Sequence, residues 1–429
     1  MASALVIFDD GRGRFGPLTH LRAAFELRSG AHTTLQRIER TLDAQARALW
    51  TRREHAAVAA ARHRGVKVNE LPEAPACLFV NGRWLGIASA AQVRSLEPGE
   101  YLIQHDGQLI AAHVSMEACR VLISSGFVAP PGVARLKLPE PAEFDPADQT
   151  REAGPGADLA LIERPWHILD QLESTLRLDL AAIDLPEAGR GKGRHEHVQV
   201  IGDQAFKVAP DAQVRPYVVV DTTKGQVVVD HHADIRPFTL LSGPCYIGEH
   251  SVVNPHSDIR PRTVIGPRCK VGGEVNMSIL HSHSNKAHAG YLGHALVGQW
   301  VNLGGDTNVS NLKNTYGPVR VQLEKNAPAE DSGRTFLGPI IGDYTLTAIG
   351  SRILSGSCIN TATMLAVSSF APKFTEAFSF ITDDGESRYD FEKFLDLARR
   401  MMSRRGSRLS EAEEEVLRAL CSDMSAVHR

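Results

Sequence analysis

The sequence predicts a mixed chain, with an α/β region in front, a parallel β-helix of six-residue repeats behind it, and a helical tail. Three observations carry this. From Val229 an aliphatic residue recurs at every sixth position: Ile235, Leu241, Ile247, Val253, Ile259, Ile265, Val271 and Met277. Four residues after each of these stands a compact one, namely Ala233, Thr239, Cys245, Ser251, Ser257, Thr263, Cys269 and Val275. Helical patterns fill both ends of the chain but vanish between about 197 and 385.

A fixed internal period outranks other sequence signals. Six is neither the period of a helix nor that of a strand. It fits a triangular coil in which each side spends six residues and turns one aliphatic side chain inward, so that stacked coils bury a continuous column. Gly248, Gly266 and Gly272 follow inward residues where a tight corner favours glycine. The phase slips by two and resumes at Tyr291, Val297, Leu303 and Val309, then returns at Ile341, Thr347, Ile353, Ile359 and Leu365. Such slips predict loops pushed out of the solenoid.

The remaining elements follow in order. Residues 2–8 read as a buried strand before a Gly- and Arg-rich turn. Leu35, Ile38, Leu42 and Leu49 recur at helical spacing, which predicts one amphipathic helix over 33–64, broken once. ACLFVNGRWLGI at 76–87 predicts strand, Asn-Gly turn, strand. The Pro-, Glu-, Asp- and Gly-rich stretch 139–160 reads as a linker. Ile168, Leu169, Leu172 and Leu176 mark a helix over 166–182, and 186–197 is a second break. The charged tail 387–429 predicts helix docked by Phe391, Phe394, Leu395 and Leu397. The expected domains are 1–138, a linker with one helix at 139–196, the β-helix at 197–371, and the tail at 372–429.

Composition excludes several classes. With 43% hydrophobic and 23% charged residues the chain reads as globular, and a net charge of −3 gives no reason to expect a nucleic-acid partner. No apolar run approaches the ~18 residues of a membrane span, and the N-terminus lacks a basic start and a long apolar core. Six scattered cysteines without a CxxC pair predict reduced thiols and a cytoplasmic location.

The residues that carry chemistry lie in 281–321. KAHAGYLGH, VGQWVNLGGDT and SNLKN stand in the register of three motifs of a known family. The segment resembles the acetyltransferase half of the bifunctional N-acetylglucosamine-1-phosphate uridylyltransferase / glucosamine-1-phosphate N-acetyltransferase family, strongly over about 240–365. The resemblance implies a left-handed coil, acetyl-CoA as co-substrate, a homotrimer, and a place in cell-envelope precursor synthesis. It makes His288 the catalytic base, and Arg260, Tyr291, Asn302 and Lys313 ligands of an amino-sugar phosphate or nucleotide-sugar. Gly304, Gly305 and Asn311 fall on the acyl-CoA side. The chemistry suits those types: a histidine titrating near neutrality can take a proton from a sugar ammonium, and Tyr and Asn orient hydroxyls without adding charge. The family's lysine on the sugar-phosphate side has no counterpart near Asn276–Ser278, and Asp306 adds a carboxylate to the glycine turn. A metal site built from His281, His283 and His288 is set aside, since no Cys or acidic pattern accompanies them. His231, His232, His195 and His197 read as solvated.

GRGRFGPLT at 11–19 resembles the glycine-rich turn of sugar-phosphate nucleotidyltransferases. That implies a nucleotide held by Gly11, Gly13, Arg14, Pro17 and Thr19, with Mg²⁺ wherever transfer is retained. Two departures stand against transfer: Arg22 is the nearest cation after Pro17-Leu18-Thr19, and Asn81-Gly82 replaces the Gly-Asp that ligates the metal in the family. Two further readings stay open, a nucleotidyltransferase whose β-helix serves assembly, and a scaffold that binds sugar nucleotides without catalysis.

Overall fold

The computed structural model describes residues 3–131, 133, 135–138, 159–188 and 197–426. Most of the 139–160 stretch, residues 189–196 and His195 lie outside the described residues.

The front region is a seven-stranded mixed sheet, with strands β1 (Ala4–Phe8), β2 (Ala46–Trp50), β3 (Lys67–Val68), β4 (Ala76–Asn81), β5 (Tyr101–Ile103), β6 (Leu109–Ser115) and β7 (Arg135–Lys137) in the order β3-β2-β1-β4-β6-β5-β7. β3, β2, β1 and β4 run parallel, and β6 is antiparallel to both β4 and β5. Helices α1 (Thr34–Leu42), α2 (Ala56–Arg62), α3 (Ala90–Arg94) and α4 (Met116–Ser124) complete it.

Two sequence expectations fail here. The amphipathic stretch 33–64 is helix, strand, helix: Asp43 enters the left-handed region at φ 50° and ends α1, and Leu49 then pairs with Ile7 inside β2. Ala, Arg and Leu spaced for a helix also suit a strand buried on both faces, and pairing with β1 decides. After Asn81 no second hairpin strand forms. The Gly82 amide donates to Phe8 O, and Trp84 folds into the core.

Helices α5 (Pro165–Asp170) and α6 (Leu172–Ala182) lead to the solenoid. Ile168, Leu169, Leu172 and Leu176 are buried as their spacing predicts, but against a large neighbour. They share one apolar cluster with Phe15 and Leu18 of the front region and Val228, Tyr246, Val264 and Ile340 of the coils.

The solenoid is a parallel β-helix of three faces. In chain order the first begins at Gln199–Ile201, the second at Phe206–Val208 and the third at Gln213–Val214. Regular coils advance eighteen residues, as where Cys245 pairs with Thr263. The predicted inward residues from Val229 to Val271 are fully buried in one column. Met277 is not among them. The coil shortens, Val275 takes the inward place, and Met277 turns outward into the cluster shared with the front region. Likewise Leu292, not Tyr291, continues the column. Between Leu296 and its partner Ile340 the chain makes a long excursion, which carries an antiparallel pair at Arg320–Val321 and Glu330–Asp331.

The tail forms α7 (Phe391–Ser403) and α8 (Glu411–Ala426). Phe394 and Leu395 are buried with Leu21, Trp300 and Tyr344, while Phe391 and Leu397 are half-buried. Among the described residues no helix is long and apolar enough to cross a membrane.

Candidate active site

One corner of the β-helix, between the third and first faces, gathers most of the predicted residues. There one turn shortens: Val252 pairs with Lys270, a step of eighteen, but Asp258 pairs with Glu274, a step of sixteen, so two residues are lost at Gly272–Gly273. Glycines border the corner on both sides, Gly272 and Gly273 above and Gly304 and Gly305 below, and leave a notch between them without side chains. Gly304 admits no side chain, since a Cβ there would lie 2.4 Å from the Ala348 carbonyl.

His288 stands in this notch, exposed, on the turn after Asn285–Lys286. Its ring lies over Gly305, where an added Cβ would sit 3.6 Å from the imidazole. Among the described residues its ring nitrogens make no hydrogen bond, so both are available to a ligand. The Gly304 amide donates to Thr347 Oγ1 at 3.0 Å and cannot serve an incoming oxygen. The Gly305 amide has no partner among the described residues, which makes it the donor the notch can offer.

Tyr291 lies on the adjoining first face, in line with Asp258 and Glu274. Asn311 Nδ2 donates to its hydroxyl at 2.8 Å. Burial raises the phenol above its ordinary range, so it stays protonated and can donate outward. Asn311 Nδ2 also donates to His294 Nδ1 at 2.7 Å. Burial, with the charges of Arg334 and Arg262, pushes His294 down to about 3, so it is a neutral acceptor. The structure thus groups Asn311 with Tyr291, not with the glycine turn expected to face acyl-CoA. Arg260 reaches the same face but is held by Glu274 at 3.0 Å and Asp258 at 3.2 Å. Asn302 stands on the far side of the corner, where its Oδ1 accepts from Asn285 Nδ2 at 3.1 Å. Lys313 lies out on the excursion and caps Pro318 O at 3.0 Å.

The other histidines do not join this site. His281 is buried against Glu26 O, and His283 stacks on Trp300 at 4.2 Å. His231 and His232 are exposed beside Asp211. Sequence reasoning missed His294, for which no spacing signal exists. It also missed Lys286, for which one does: it stands six residues after Leu280 and six before Leu292, at an inward position.

The second predicted site lies at the C-terminal edge of the front sheet. Asp9 ties the turn by accepting from Gly11 N and Ala24 N, each at 2.9 Å. Gly11 takes φ +70°, and Gly13 wraps so closely on Arg83 that a Cβ would lie 2.8 Å from its Cδ. The later half of the turn is not open. Pro17, Leu18 and Thr19 are buried, with Pro17 against Gly342 of the β-helix. Arg14 pairs with Glu324 at 3.0 Å and Glu330 at 2.8 Å, both from the excursion. Where the resemblance implies Mg²⁺, the residues do not fit. Arg83 is fully buried and takes both oxygens of Asp10, at 2.9 and 2.6 Å, while Asn81 Nδ2 donates to the same carboxylate at 3.0 Å. Asn81 supplies no carboxylate, and the oxygens of the neighbouring Asp10 are spent on Arg83, Asn81 and the Arg12 amide. Beside this, Thr51 Oγ1, Arg52 Nε and His55 Nδ1 are buried without partners among the described residues, and Arg52 lies against Gly11.

Residues 5–186 match the family model described as sugar nucleotidyl transferase. The match takes in the front sheet and both helices leading to the solenoid, less than half of the chain. Among curated proteins none matches. Two solved structures bear a distant likeness. One is a Bacillus cereus protein described provisionally as an acetyltransferase, at 15% identity and a TM-score of 0.19, covering 52% of this chain and 98% of that one. The other is a histidine-to-alanine mutant of GDP-perosamine N-acetyltransferase from Caulobacter crescentus, in complex with CoA and GDP-perosamine, at 10% identity and a TM-score of 0.13, covering 91% of this chain and 98% of that one. Likenesses this low leave the fold to be argued from the strands themselves.

Proposed function

We propose that the chain is a transferase of sugar-phosphate or nucleotide-sugar metabolism that moves an acetyl group from acetyl-CoA to the amine of an amino-sugar phosphate or nucleotide-sugar. The observation that carries this is the glycine-walled notch: an imidazole free of internal hydrogen bonds over the unspent amide of Gly305, with the Tyr291 phenol on the adjoining face. The sugar ammonium gives one proton to solvent, and His288 takes a second from the nitrogen as the freed amine attacks the thioester carbonyl. The Gly305 amide donates to the oxygen that gains charge. Collapse expels the CoA thiolate, which recovers the proton from His288. Tyr291, oriented by Asn311, donates to a sugar hydroxyl, and Arg260 offers a cation to a phosphate. The match of residues 5–186 supports the sugar-nucleotide class. A thiol-release assay with acetyl-CoA across a panel of amino-sugar phosphates and nucleotide-sugars tests it, and no release with any acceptor rejects it.

A second reading for the front region is favoured by the buried Thr51 Oγ1, Arg52 Nε and His55 Nδ1, atoms without partners among the described residues, with Arg52 against Gly11. Those groups suit the phosphates of a nucleotide, while the Asp10–Arg83 pair argues against its transfer. Calorimetry with UTP, TTP and GTP beside a pyrophosphate-release assay separates binding from transfer. A three-fold assembly is part of the proposal, because loops thrown from one coil can complete a neighbour's corner. Light scattering then reads about 140 kDa, three chains of 46.7 kDa.

A further inference from the structure

The column inside the β-helix is aliphatic from Val229 to Val271, and then a lysine enters it. Lys286 pairs with Val271 of the previous coil, and the bridge between Asn285 and Asn302 places Leu303 below it. Its side chain is 2% exposed, among neighbours that would accept a methionine. A buried amine costs stability unless its protons are bonded, and here two of the ammonium's three are: Nζ donates to Gly272 O at 2.7 Å and to His288 O at 3.0 Å. It rests 3.0 Å from the point a Cβ on Gly273 would occupy. Gly273 itself has φ +71°, so the corner is built around the ammonium. Asn254 Nδ2 holds the next carbonyl, Ala287 O, at 2.6 Å. The turn that carries His288 is therefore fastened from inside the coil, although its imidazole is free. Burial pushes the amine down to about 8, and Asp306 and Glu274 oppose that fall.

We propose that Lys286 is a positioning residue for the acyl transfer: its ammonium ties the His288 carbonyl to the Gly272 carbonyl of the preceding coil and so fixes the direction in which the imidazole enters the notch. This rests on the assignment of His288 as the base. Rules of local sequence are broken where function demands it, and a charged side chain in an aliphatic column two residues before the base is such a break.

Lys286→Met in the full chain keeps the column filled and removes both bonds. Loss of about an ångström of positioning lowers kcat by roughly 10- to 100-fold, with KM for both substrates within about twofold of wild type. A kcat within about threefold of wild type overturns the proposal. A second readout needs no activity. Diethyl pyrocarbonate modification, followed residue by residue by mass spectrometry, gives the rate at His288 against His231 as an exposed reference. The ratio shifts by at least about threefold in the variant, and an unchanged ratio overturns the proposal. If Lys286→Met does not fold, Lys286→Gln is judged by the same criteria. Failure of both to fold makes the lysine a stability element and overturns the positioning role. If instead His288→Ala retains full acyl transfer, the base assignment falls, and the modification ratio still reports whether Lys286 orients the ring.

Discussion

Asp343→Ala tests whether the front region and the β-helix are one cooperative body. Arg22 leaves the front turn and places Nη2 2.6 Å from Asp343 Oδ2 and Nη1 3.1 Å from Oδ1, with both side chains 1% exposed. Its remaining protons go to Leu18 O and Gln299 Oε1, each at 3.0 Å, and Asp343 Oδ1 also accepts from Gln299 N at 2.6 Å. Truncating the carboxylate leaves a buried guanidinium without its counter-charge, which costs about 3–5 kcal/mol. The orphaned Gln299 amide falls within the same loss, because all three groups form one network. Replacing both partners with apolar residues of similar size, Arg22→Met with Asp343→Leu, recovers most of that, to within about 2 kcal/mol of wild type. Urea unfolding read by far-ultraviolet circular dichroism and by tryptophan fluorescence supplies the double-mutant cycle. Trp84 and Trp166 lie on the front side and Trp300 in the coils, all buried, so the two signals shift together. Two results refute the reasoning: a single variant within about 1 kcal/mol of wild type, or a double variant no better than the single.

Three further outcomes follow from the notch. His288→Ala lowers acyl transfer by roughly 10²-fold or more without moving the unfolding midpoint; activity within a few-fold of wild type removes it as the base. Tyr291→Phe keeps the fold but removes one of the two acceptors of Asn311 Nδ2 and the hydroxyl offered to the sugar, raising the acceptor-sugar KM by about tenfold, a shift checked by initial-rate kinetics at saturating acetyl-CoA. Lys286 has a folded pKa of about 8 against an ordinary 10.5, so the unfolded chain binds more protons between those values and stability rises with pH across that window. The gain approaches about 3 kcal/mol at its upper limit, and it is absent in Lys286→Met, which urea midpoints measured across the window check.

The β-helix was legible because a period of six states both its topology and its core. Val229 to Val271 point inward as the spacing requires, and the four-residue offset picks out their buried companions. What escaped was where the period fails. Met277 keeps the six-residue phase on paper, but the coil has already lost residues at Gly272–Gly273, and a shortened coil moves each later side chain to a new direction. The front sheet was less legible because Leu49 fits a helix and a strand alike, and only β1 as a neighbour decides between them. His288, Tyr291, Gly305 and Asn311 were singled out by the resemblance and not by the period. That Asn311 meets Tyr291 was not legible, since the contact is set by the path of a long excursion that has no period.

The breaks in the repeat also explain why the two halves are joined as they are. A regular solenoid exposes three faces and needs no partner domain. Here the second face is covered by Phe15, Leu18 and α5–α6, and the excursion after Val309 reaches back to Arg14 and Arg164 through Glu324 and Glu330. The same excursion carries Asn311, which holds Tyr291, and Arg334, whose charge adds to the burial that keeps His294 neutral and which pairs with Asp170 of α5. The glycine-rich turn of the front sheet, the glutamates that anchor the excursion and the Asn311 amide that holds Tyr291 thus lie along one run of contacts. The ion pairs of Arg14, each only partly buried, are the weakest link in that path and the first to yield.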